Sequence, residues 1–510
     1  MARSVPSPLG AVLVGGGLQL RAQATGAPTV AVRVNPSEST PRNTDGVADA
    51  ATWQLIQSTE RVHLRLREDE IRQFGGSRST PLQPVPARLV ASAPPPPPQT
   101  RTVFVNNPAG GARIQLNVTL KRESAHVIYY QDDAAVGTVD ESTDAEVQAV
   151  LDYYEQYGQS VIDDYFGGLG PAGMTSDFAD GPRVANDIDG NGKFIVVQTT
   201  QAHMLSGAAA YVSSCDRFPR TGNAVGNVST CANSNESEIT YMLRPDSPYY
   251  RGVIVHETKH IASMGFARFA NRGFQPSWIE EGTADIAAEL SSRHASNVAE
   301  RQEVRRADVF PTGVGTSPTD LSYYMYIANS RARSFLLASP LSALFADPSP
   351  NPNGSTIYGA GWLFHRYLAD RYAPTYGGEA AFFRVLNLQG TGNTPIENLA
   401  GKPFSDVLSD FMAAIIAEGS AAKRSGAPER FVSYDFADIA TRFSGAAWPY
   451  LQRTSTYGPS SLSLPTYFSA PNFVEFTSTP GKTLRLDILQ TNGVPVTAAV
   501  DAALTIQRIR

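Results

Sequence analysis

The sequence predicts a multidomain α+β protein in which the central domain has a mostly helical half and a small all-β module flanks it on each side. Three observations support this fold class. Strand-like runs and long helical patterns share the middle of the chain. Both ends alternate apolar and polar residues, as half-buried strands do. Five consecutive prolines, Pro94–Pro98, separate the first end from the middle.

The first module is expected over residues 1–75, because Val30–Val34 and Val62–Leu66 alternate in the manner of β-strands. Residues 76–102 contain the proline run and predict a stiff, extended linker of polyproline type. At 510 residues the chain exceeds what one hydrophobic core usually supports. A domain boundary is therefore expected in this linker.

The amino terminus resembles a degenerate signal peptide over residues 1–24. A small-residue site follows an apolar stretch, although Gly15–Gly17 interrupts that stretch. Cys215 and Cys231 are the only cysteines, and either a disulfide or a pair of free thiols fits the sequence. A disulfide would agree with an exported protein.

The central domain is expected over residues 103–425. Ala125–Tyr130 and Phe194–Val197 have the pattern of strands. Thr143–Tyr165 repeats apolar residues at helical spacing, and the remainder, as far as Phe404–Glu418, is predominantly helical.

The last module is expected over residues 430–510, where the composition shifts to Ser, Thr and Pro. Phe473–Phe476, Leu484–Ile488 and Leu504–Ile509 alternate as strands do. Together they predict a β-sandwich-like domain.

The most informative stretch is His256–His260, which has the pattern His-Glu-x-x-His in a segment with helical character. Positions four apart share one face of a helix, so both imidazoles can bind one metal ion while Glu257 lies beside it. This pattern is typical of zinc hydrolases, in which the Glu is the general base. The alternative is a helix whose two histidines are solvated or satisfied in the core.

A third protein ligand is needed, since catalytic zinc usually takes three protein ligands plus water. Glu280 and Glu281 are the candidates, at the start of a second predicted helix. If Ser277 is the N-cap, Glu280 occupies the third helical position and completes a capping box. Glu281 then points about 100° away around the helix axis and is free to face the metal. Asp285, one turn later, is the candidate partner for a ligand histidine.

The spacing from His260 to Glu281, within Trp278–Ala284, resembles that of the gluzincin metallopeptidases, in which the Glu before Gly is the third ligand. The order of upstream segments, residues 186–197 and then 234–241, is similar to that of the hyicolysin family of secreted bacterial metallopeptidases.

The resemblance covers about residues 110–420. It implies a zincin-like metallopeptidase domain, a Zn²⁺ ion held by His256, His260 and Glu281, a protein or peptide substrate, and a secreted or periplasmic location.

Tyr358 begins the segment Tyr358–Gly361, which is similar to the Y-x-x-G segment of aminopeptidase N relatives. That resemblance implies a hydroxyl that hydrogen-bonds the oxyanion of the transition state. The alternative is a core or turn tyrosine with a satisfied hydroxyl.

Asp187, Asp189 and Asn191 alternate before Gly192, as in the first half of an EF-hand calcium loop. The twelfth position, however, is Gln198, where the motif has a bidentate Glu. Either a turn rich in Asx residues or a weak Ca²⁺ site fits this pattern.

The net charge of −6 argues against nucleic acid as a partner, and no apolar run approaches the roughly 18 to 20 residues of a transmembrane segment. The expected function is that of a secreted zinc endopeptidase. A zinc aminopeptidase and a catalytically silent scaffold that binds an extracellular partner are the alternatives. The presence of Glu257 beside all three ligands favours an enzyme.

Overall fold

The structure, a computed structural model, is of the mixed α+β class. It describes residues 4–5, 9–14, 18–24, 50–74, 96–169, 175–178, 181–184, 187–221, 230–269, 273–310, 318–337, 354–388, 390–418, 426, 429–441, 448, 454–455, 460–463, 471–476, 484–490 and 503–507.

The strands, numbered in chain order, are β1 (Ser4–Val5), β2 (Leu9–Val14), β3 (Leu18–Ala24), β4 (Thr100–Val105), β5 (Ile114–Glu123), β6 (Val127–Asp132), β7 (Thr175–Phe178), β8 (Gly181–Val184), β9 (Phe194–Gln198), β10 (Ala210–Val212), β11 (Ile239–Met242), β12 (Thr454–Ser455), β13 (Ser460–Ser463), β14 (Pro471–Phe476), β15 (Leu484–Gln490) and β16 (Ala503–Gln507).

The helices are α1 (Ala50–Phe74), α2 (Asp144–Tyr153), α3 (Gln159–Phe166), α4 (Tyr249–Phe269), α5 (Ser277–Ala295), α6 (Arg306–Val309), α7 (Asp320–Leu337), α8 (Gly354–Tyr372), α9 (Glu379–Leu388), α10 (Asn393–Ala400), α11 (Phe404–Ala417) and α12 (Phe436–Ala440). A π-helical turn, Tyr154–Gly158, joins α2 to α3.

A six-stranded sheet in the order β10-β11-β9-β6-β5-β4 forms the β part of the central domain. The inner pairs β6–β9 and β9–β11 are parallel, and the remaining pairs are antiparallel. Every residue of β6 and β9 is buried, which explains their continuous apolar character. The short strand β10 lies at one edge of the sheet.

The helical part of the central domain is built around α4 and α5. Residues 253–267 of α4 and 277–293 of α5 are all buried, so both helices are covered on every face. Helices α7 and α8 pack against α5. Helix α4 continues past Gly265 to Phe269.

Several predicted elements of the central domain are confirmed. The strands expected at Ala125–Tyr130 and Phe194–Val197 are β6 and β9. The helix expected over Thr143–Tyr165 is α2, the π turn and α3, and it begins at a capping box between Thr143 and Glu146. The helix expected over Phe404–Glu418 is α11.

The strand predicted at Val62–Leu66 is wrong, because this segment lies inside helix α1. The fully buried positions of α1 recur at intervals of three or four residues, and in its second half they are mostly polar, as at His63 and Arg67. A search for apolar periodicity therefore misses the helical repeat. Helix α1 packs against the central domain and is not part of a β module.

Strands from the two ends of the chain pair with each other in two four-stranded sheets, β1-β15-β3-β13 and β12-β14-β2-β16. The strands predicted in the C-terminal region are confirmed as β14, β15 and β16. The described strands of residues 1–24 therefore belong with the C-terminal strands and do not form a module of their own. Val30–Val34 and most of the proline-rich linker lie outside the described residues.

Residues 429–441, which include the predicted start of the last module at residue 430, contact helix α8 of the central domain. The rings of Tyr434 and Phe436 lie 6.0 and 5.7 Å from the ring of Trp362 in α8, so residues 429–441 still contribute to the core of the central domain.

A disulfide joins Cys215 to Cys231, which settles the choice between a disulfide and two free thiols. Among the described helices, none has the length and apolar character needed to cross a membrane.

Candidate metal centre

Four buried side chains from three helices converge at the centre of the molecule. Helix α4 contributes His256 and His260, α5 contributes Glu281, and α1 contributes His63. One ligand atom of each lies within 4.8 Å of the ligand atoms of the other three. The three residues predicted to bind metal are therefore brought together, and His63, which was not predicted, lies with them.

Glu281 is the centre of this cluster. Its Oε2 atom lies 3.2 Å from His256 Nε2, 3.4 Å from His260 Nε2 and 3.7 Å from His63 Nδ1. Because the two histidines of α4 are four residues apart, both lie on the face of the helix that meets α5. Three imidazole nitrogens thus face one carboxylate oxygen.

The other ring nitrogen of each histidine has a fixed acceptor. His256 Nδ1 lies 3.2 Å from Asp285 Oδ1, and His260 Nδ1 lies 2.7 Å from Glu280 Oε1. His63 Nε2 donates to the carbonyl oxygen of Ala210, 2.7 Å away. Histidines that bind metal almost always donate their second N–H in this way, which fixes the tautomer and orients the ring.

The capping box predicted for Glu280 is wrong. The N-cap of α5 is Pro276, which has no side-chain capping bond, and Ser277 is the first residue of the helix. Glu280 instead turns inward, where Lys259 Nζ lies 3.0 Å from Oε2 and both His260 and Ser263 donate to Oε1. Glu280 therefore orients a candidate ligand instead of capping a helix.

Asp285 occupies the position expected of a partner for a ligand histidine. Besides its contact with His256, both of its carboxylate oxygens accept from one nitrogen, Arg331 Nη1, at 2.8 and 2.9 Å. The Nε of Arg331 donates to Glu60 of α1 at 2.6 Å. Three charged side chains, Glu60, Arg331 and Asp285, thus connect α1 with the metal cluster.

Tyr358 also lies at the cluster. Its hydroxyl donates to Glu281 Oε2 at 2.6 Å and lies 3.1 Å from His63 Nδ1. Two glycines make this contact possible, because a Cβ at Gly282 would lie 2.8 Å from the Gly361 backbone, and one at Gly361 would lie 2.8 Å from Trp278 O. Gly282 and Gly361 therefore let α5 and α8 cross closely.

Glu257 lies beside the four candidate ligands and is not one of them. Its Oε1 is 3.5 Å from His63 Nε2, and its buried Oε2 has no hydrogen-bond partner among the described residues. A carboxylate near a metal but not bound to it is what a general base requires.

The donor set fits a divalent cation with borderline-soft character. His260 Nε2 and Glu281 Oε1 are buried without a hydrogen-bond partner in the described part of the chain. The buried charged residues of the cluster and of the groups linked to it are Glu60, Glu70, Glu257, Glu280, Glu281 and Asp285, together with Arg67, Lys259 and Arg331. Metal binding requires neutral histidines, and with the carboxylates ionised three negative charges would then remain in this set, of which a divalent ion would offset two. Imidazole and carboxylate ligands suit Zn²⁺.

The pKa values of the cluster follow from burial and from these contacts. Burial disfavours the charged form of His256, but hydrogen bonds to Asp285 and Glu281 outweigh it and raise its pKa to about 10. Burial likewise opposes ionisation of Glu280, but Lys259 and His260 lower its pKa to about 2. Contacts with His260 and His256 also hold the pKa of the buried Glu281 well below its usual range, so Glu280 and Glu281 are ionised, as a metal ligand and the partner of one must be.

The missed residue His63 had no local motif around it. The signal that could have identified it is the helical recurrence of polar residues at Glu60, His63, Arg67 and Glu70. Such a stripe is usually a solvated face, and only the packing of α1 shows that it is buried.

The acidic loop forms a second cluster at the sheet. Asp187 and Asp189 approach Glu238, with one carboxylate oxygen of each within 4.8 Å of the others. Asp187 accepts from the Gly192 N–H at 3.0 Å, and Asn191 Oδ1 accepts from the Lys193 N–H at 2.6 Å. These are the bonds expected of an Asx-rich turn.

Glu238 was not predicted, and it differs from the two aspartates. It is fully buried, and its Oε1 accepts from Arg217 and from the Ile188 N–H, whereas Oε2 has no hydrogen-bond partner in the described residues. Burial, opposed by Arg217, raises its pKa to about 8.

A comparison of the chain with models of protein families finds no match, and a comparison with curated proteins finds no similar sequence.

Proposed function

We propose that this protein is a zinc-dependent endopeptidase of the gluzincin type, with a zincin-like organisation of the central domain. The observation that carries the proposal is the convergence of His256, His260 and Glu281 with Glu257 beside them and outside the ligand set. Zinc bound there would polarise a scissile carbonyl and lower the pKa of a water molecule to about 7.

Protein side chains would carry out the proton transfer, stabilise the transition state and orient the metal ligands. Glu257 would accept a proton from the attacking water and deliver it to the leaving amine. Tyr358 would donate its hydroxyl to the carbonyl oxygen as negative charge grows there. Asp285 and Glu280 would hold the rings of His256 and His260 in place through their Nδ1 atoms.

The test is Glu257→Gln, which we expect to keep zinc and to lower peptide cleavage by roughly 10² to 10⁴. Glu123→Gln is the matched control, because Glu123 is an exposed carboxylate at the sheet. Zinc content and chelator-sensitive cleavage of a peptide library are measured over long incubations. If the wild type shows chelator-sensitive cleavage and Glu257→Gln cleaves equally well, the mechanism is overturned.

The same library separates the alternatives. An endopeptidase cleaves peptides with acetylated amino termini, whereas an aminopeptidase requires the free amine. A catalytically silent scaffold binds zinc and gives no chelator-sensitive product. Secretion is part of the proposal, and the Cys215–Cys231 disulfide supports it, since disulfides persist in oxidising compartments.

We also propose that Asp187, Asp189 and Glu238 hold a Ca²⁺ ion that stabilises the central sheet. The buried, unpartnered Oε2 of Glu238 supports a cation here, because such an oxygen is costly unless something pairs with it. Carboxylate oxygens are the ligands that Ca²⁺ prefers.

A further inference from the structure

Helix α1 runs along the free edge of the six-stranded sheet. Strand β10 pairs with β11 on one side only, so its outer backbone groups are available to another partner. Three side chains of α1 bind the outer backbone groups of β10 and of the turn that follows it. His63 donates to Ala210 O at 2.7 Å, Arg67 donates to Val212 O at 2.7 Å, and Glu70 accepts from the Ser214 N–H at 2.6 Å.

The spacing of these contacts explains how a helix can cover a strand edge. The outward-facing groups of a strand recur every two residues, or about 6.6 Å. Three to four residues of helix rise about 4.5 to 6 Å. His63, Arg67 and Glu70 therefore stay nearly in register with residues 210, 212 and 214.

An extended peptide would bind the same backbone groups. Peptides commonly add to an exposed sheet edge, where main-chain hydrogen bonds supply affinity. Because β10 borders the metal cluster through the contact of Ala210 with His63, a peptide on this edge would pass the metal. Helix α1 thus occupies the place of a peptide substrate.

His63 also changes the kind of metal site. Its Nε2 is engaged with Ala210 O, so Nδ1 is the atom available to a metal, and it faces Glu281. Three histidines and one glutamate complete a four-coordinate shell. Such closed shells are typical of structural zinc, whereas catalytic zinc keeps one position open.

We propose that α1 is a built-in inhibitor that blocks the peptide-binding edge of β10 and fills the fourth metal position with His63. The inference rests on the proposed peptidase function and adds a latent state to it. Displacement of α1 would open the metal and free an edge that accepts an extended peptide.

The contacts of α1 suit a displaceable element. Its buried apolar residues are Trp53, Ile56 and Leu64, and beyond Leu64 the buried residues are Arg67 and Glu70. Moving the second half of the helix therefore exposes Arg67 and Glu70, which water can solvate, together with the apolar contacts of Leu64 and Leu66 and the stacking of Phe74 on Phe218.

The test measures two properties of each variant separately: whether the metal has an open coordination position, and whether the protein cleaves peptides. Full-length protein is loaded with Co²⁺, and its visible absorption is recorded with and without acetohydroxamate, a small chelating ligand that needs an open position. We expect no response from wild type and a clear response from His63→Gln, whose amide can still donate to Ala210 O. Arg65→Ala, on the exposed face of the same helix, is the matched control and should behave as wild type.

Activity is read on the zinc forms. His63→Gln should cleave the peptide library at least about tenfold faster than wild type, and Glu257→Gln in the same background should abolish the gain. Glu70→Ala provides a second variant, outside the set of candidate ligands, that weakens docking at Ser214 and removes the ion-pair partner of Arg67. It should raise both the hydroxamate response and cleavage, and it keeps the test decisive if His63→Gln fails to fold.

The outcomes separate the two proposals. An open, hydroxamate-responsive wild-type site would overturn the inhibitor, as would a His63→Gln spectrum identical to that of wild type. An opened site in His63→Gln with no cleavage would uphold the ligand assignment of His63 and overturn the peptidase function.

Discussion

The substitution Glu280→Gln tests whether this residue orients a metal ligand, as its contacts indicate. Glu280 Oε1 accepts from His260 Nδ1 at 2.7 Å, and Oε2 lies 3.0 Å from Lys259 Nζ. Glutamine has the same shape but only one oxygen. If that oxygen stays with His260, the amide NH₂ group faces the buried ammonium of Lys259.

Both possible orientations of the glutamine lose one charged contact. A buried hydrogen bond to a charged group contributes about 1.5 to 3 kcal/mol, so the metal-free protein should lose roughly that much stability. Removing an outer partner of a metal-bound histidine usually lowers metal affinity by about 10- to 100-fold. That range corresponds to about 1.4 to 2.7 kcal/mol of binding free energy.

The assay is competition for Zn²⁺ with a chromogenic chelator at neutral pH, combined with urea unfolding of the metal-free chain. We expect zinc affinity to fall in the order Glu123→Gln, Glu280→Gln, Glu281→Gln, because only the last removes a direct ligand. A Glu280→Gln protein with wild-type zinc affinity would refute the orienting role and leave Glu280 as a partner of Lys259 alone.

Three further predictions follow from the geometry. Tyr358→Phe should keep zinc and lower kcat by about 100-fold with KM little changed, because its hydroxyl is needed most in the transition state; an effect on KM alone would contradict this. Gly361→Ala should reduce the unfolding free energy by about 1 to 3 kcal/mol, since the new Cβ would lie 2.8 Å from Trp278 O. Gly252→Ala is its control, because the nearest contact there is 3.8 Å away, and equal denaturant midpoints would contradict the close crossing. Added Ca²⁺ should raise the Tm of wild type and not that of Glu238→Gln; an equal rise in both would remove Glu238 from the calcium site.

The parts of the site that could be predicted are those encoded locally. The two histidines of α4 and the glutamate of α5 follow from helical spacing, which fixes the face on which each residue lies. The crossing of α5 and α8 could not be predicted, because it depends on Gly282 and Gly361 meeting from distant parts of the chain. The error at Glu280 arose from a local rule, the capping box, where a buried tertiary contact with Lys259 took precedence.

Helix α1 was mispredicted for a related reason. The buried face of its second half carries charged side chains that pair with charged groups of the central domain. The apolar repeat that identifies an amphipathic helix is therefore absent. A five-residue alternation around His63 then has the appearance of a strand. The polar face that made the helix hard to predict is the same face that contacts the metal cluster and the edge of β10.

The silent-scaffold alternative and the latent-enzyme proposal assign different roles to Glu257. In a permanently closed structural site this residue has no purpose, because His63 completes the shell and already donates its Nε2 hydrogen to Ala210. Glu257 is then a buried carboxylate whose Oε2 has no hydrogen-bond partner in the described residues and whose Oε1 is 3.5 Å from His63. An unsatisfied buried polar group costs about 1 to 3 kcal/mol, so an apolar side chain of similar size would make a better scaffold. In the proposed open state Glu257 would contact water and substrate, and this use for the carboxylate favours the latent-enzyme proposal over the silent scaffold.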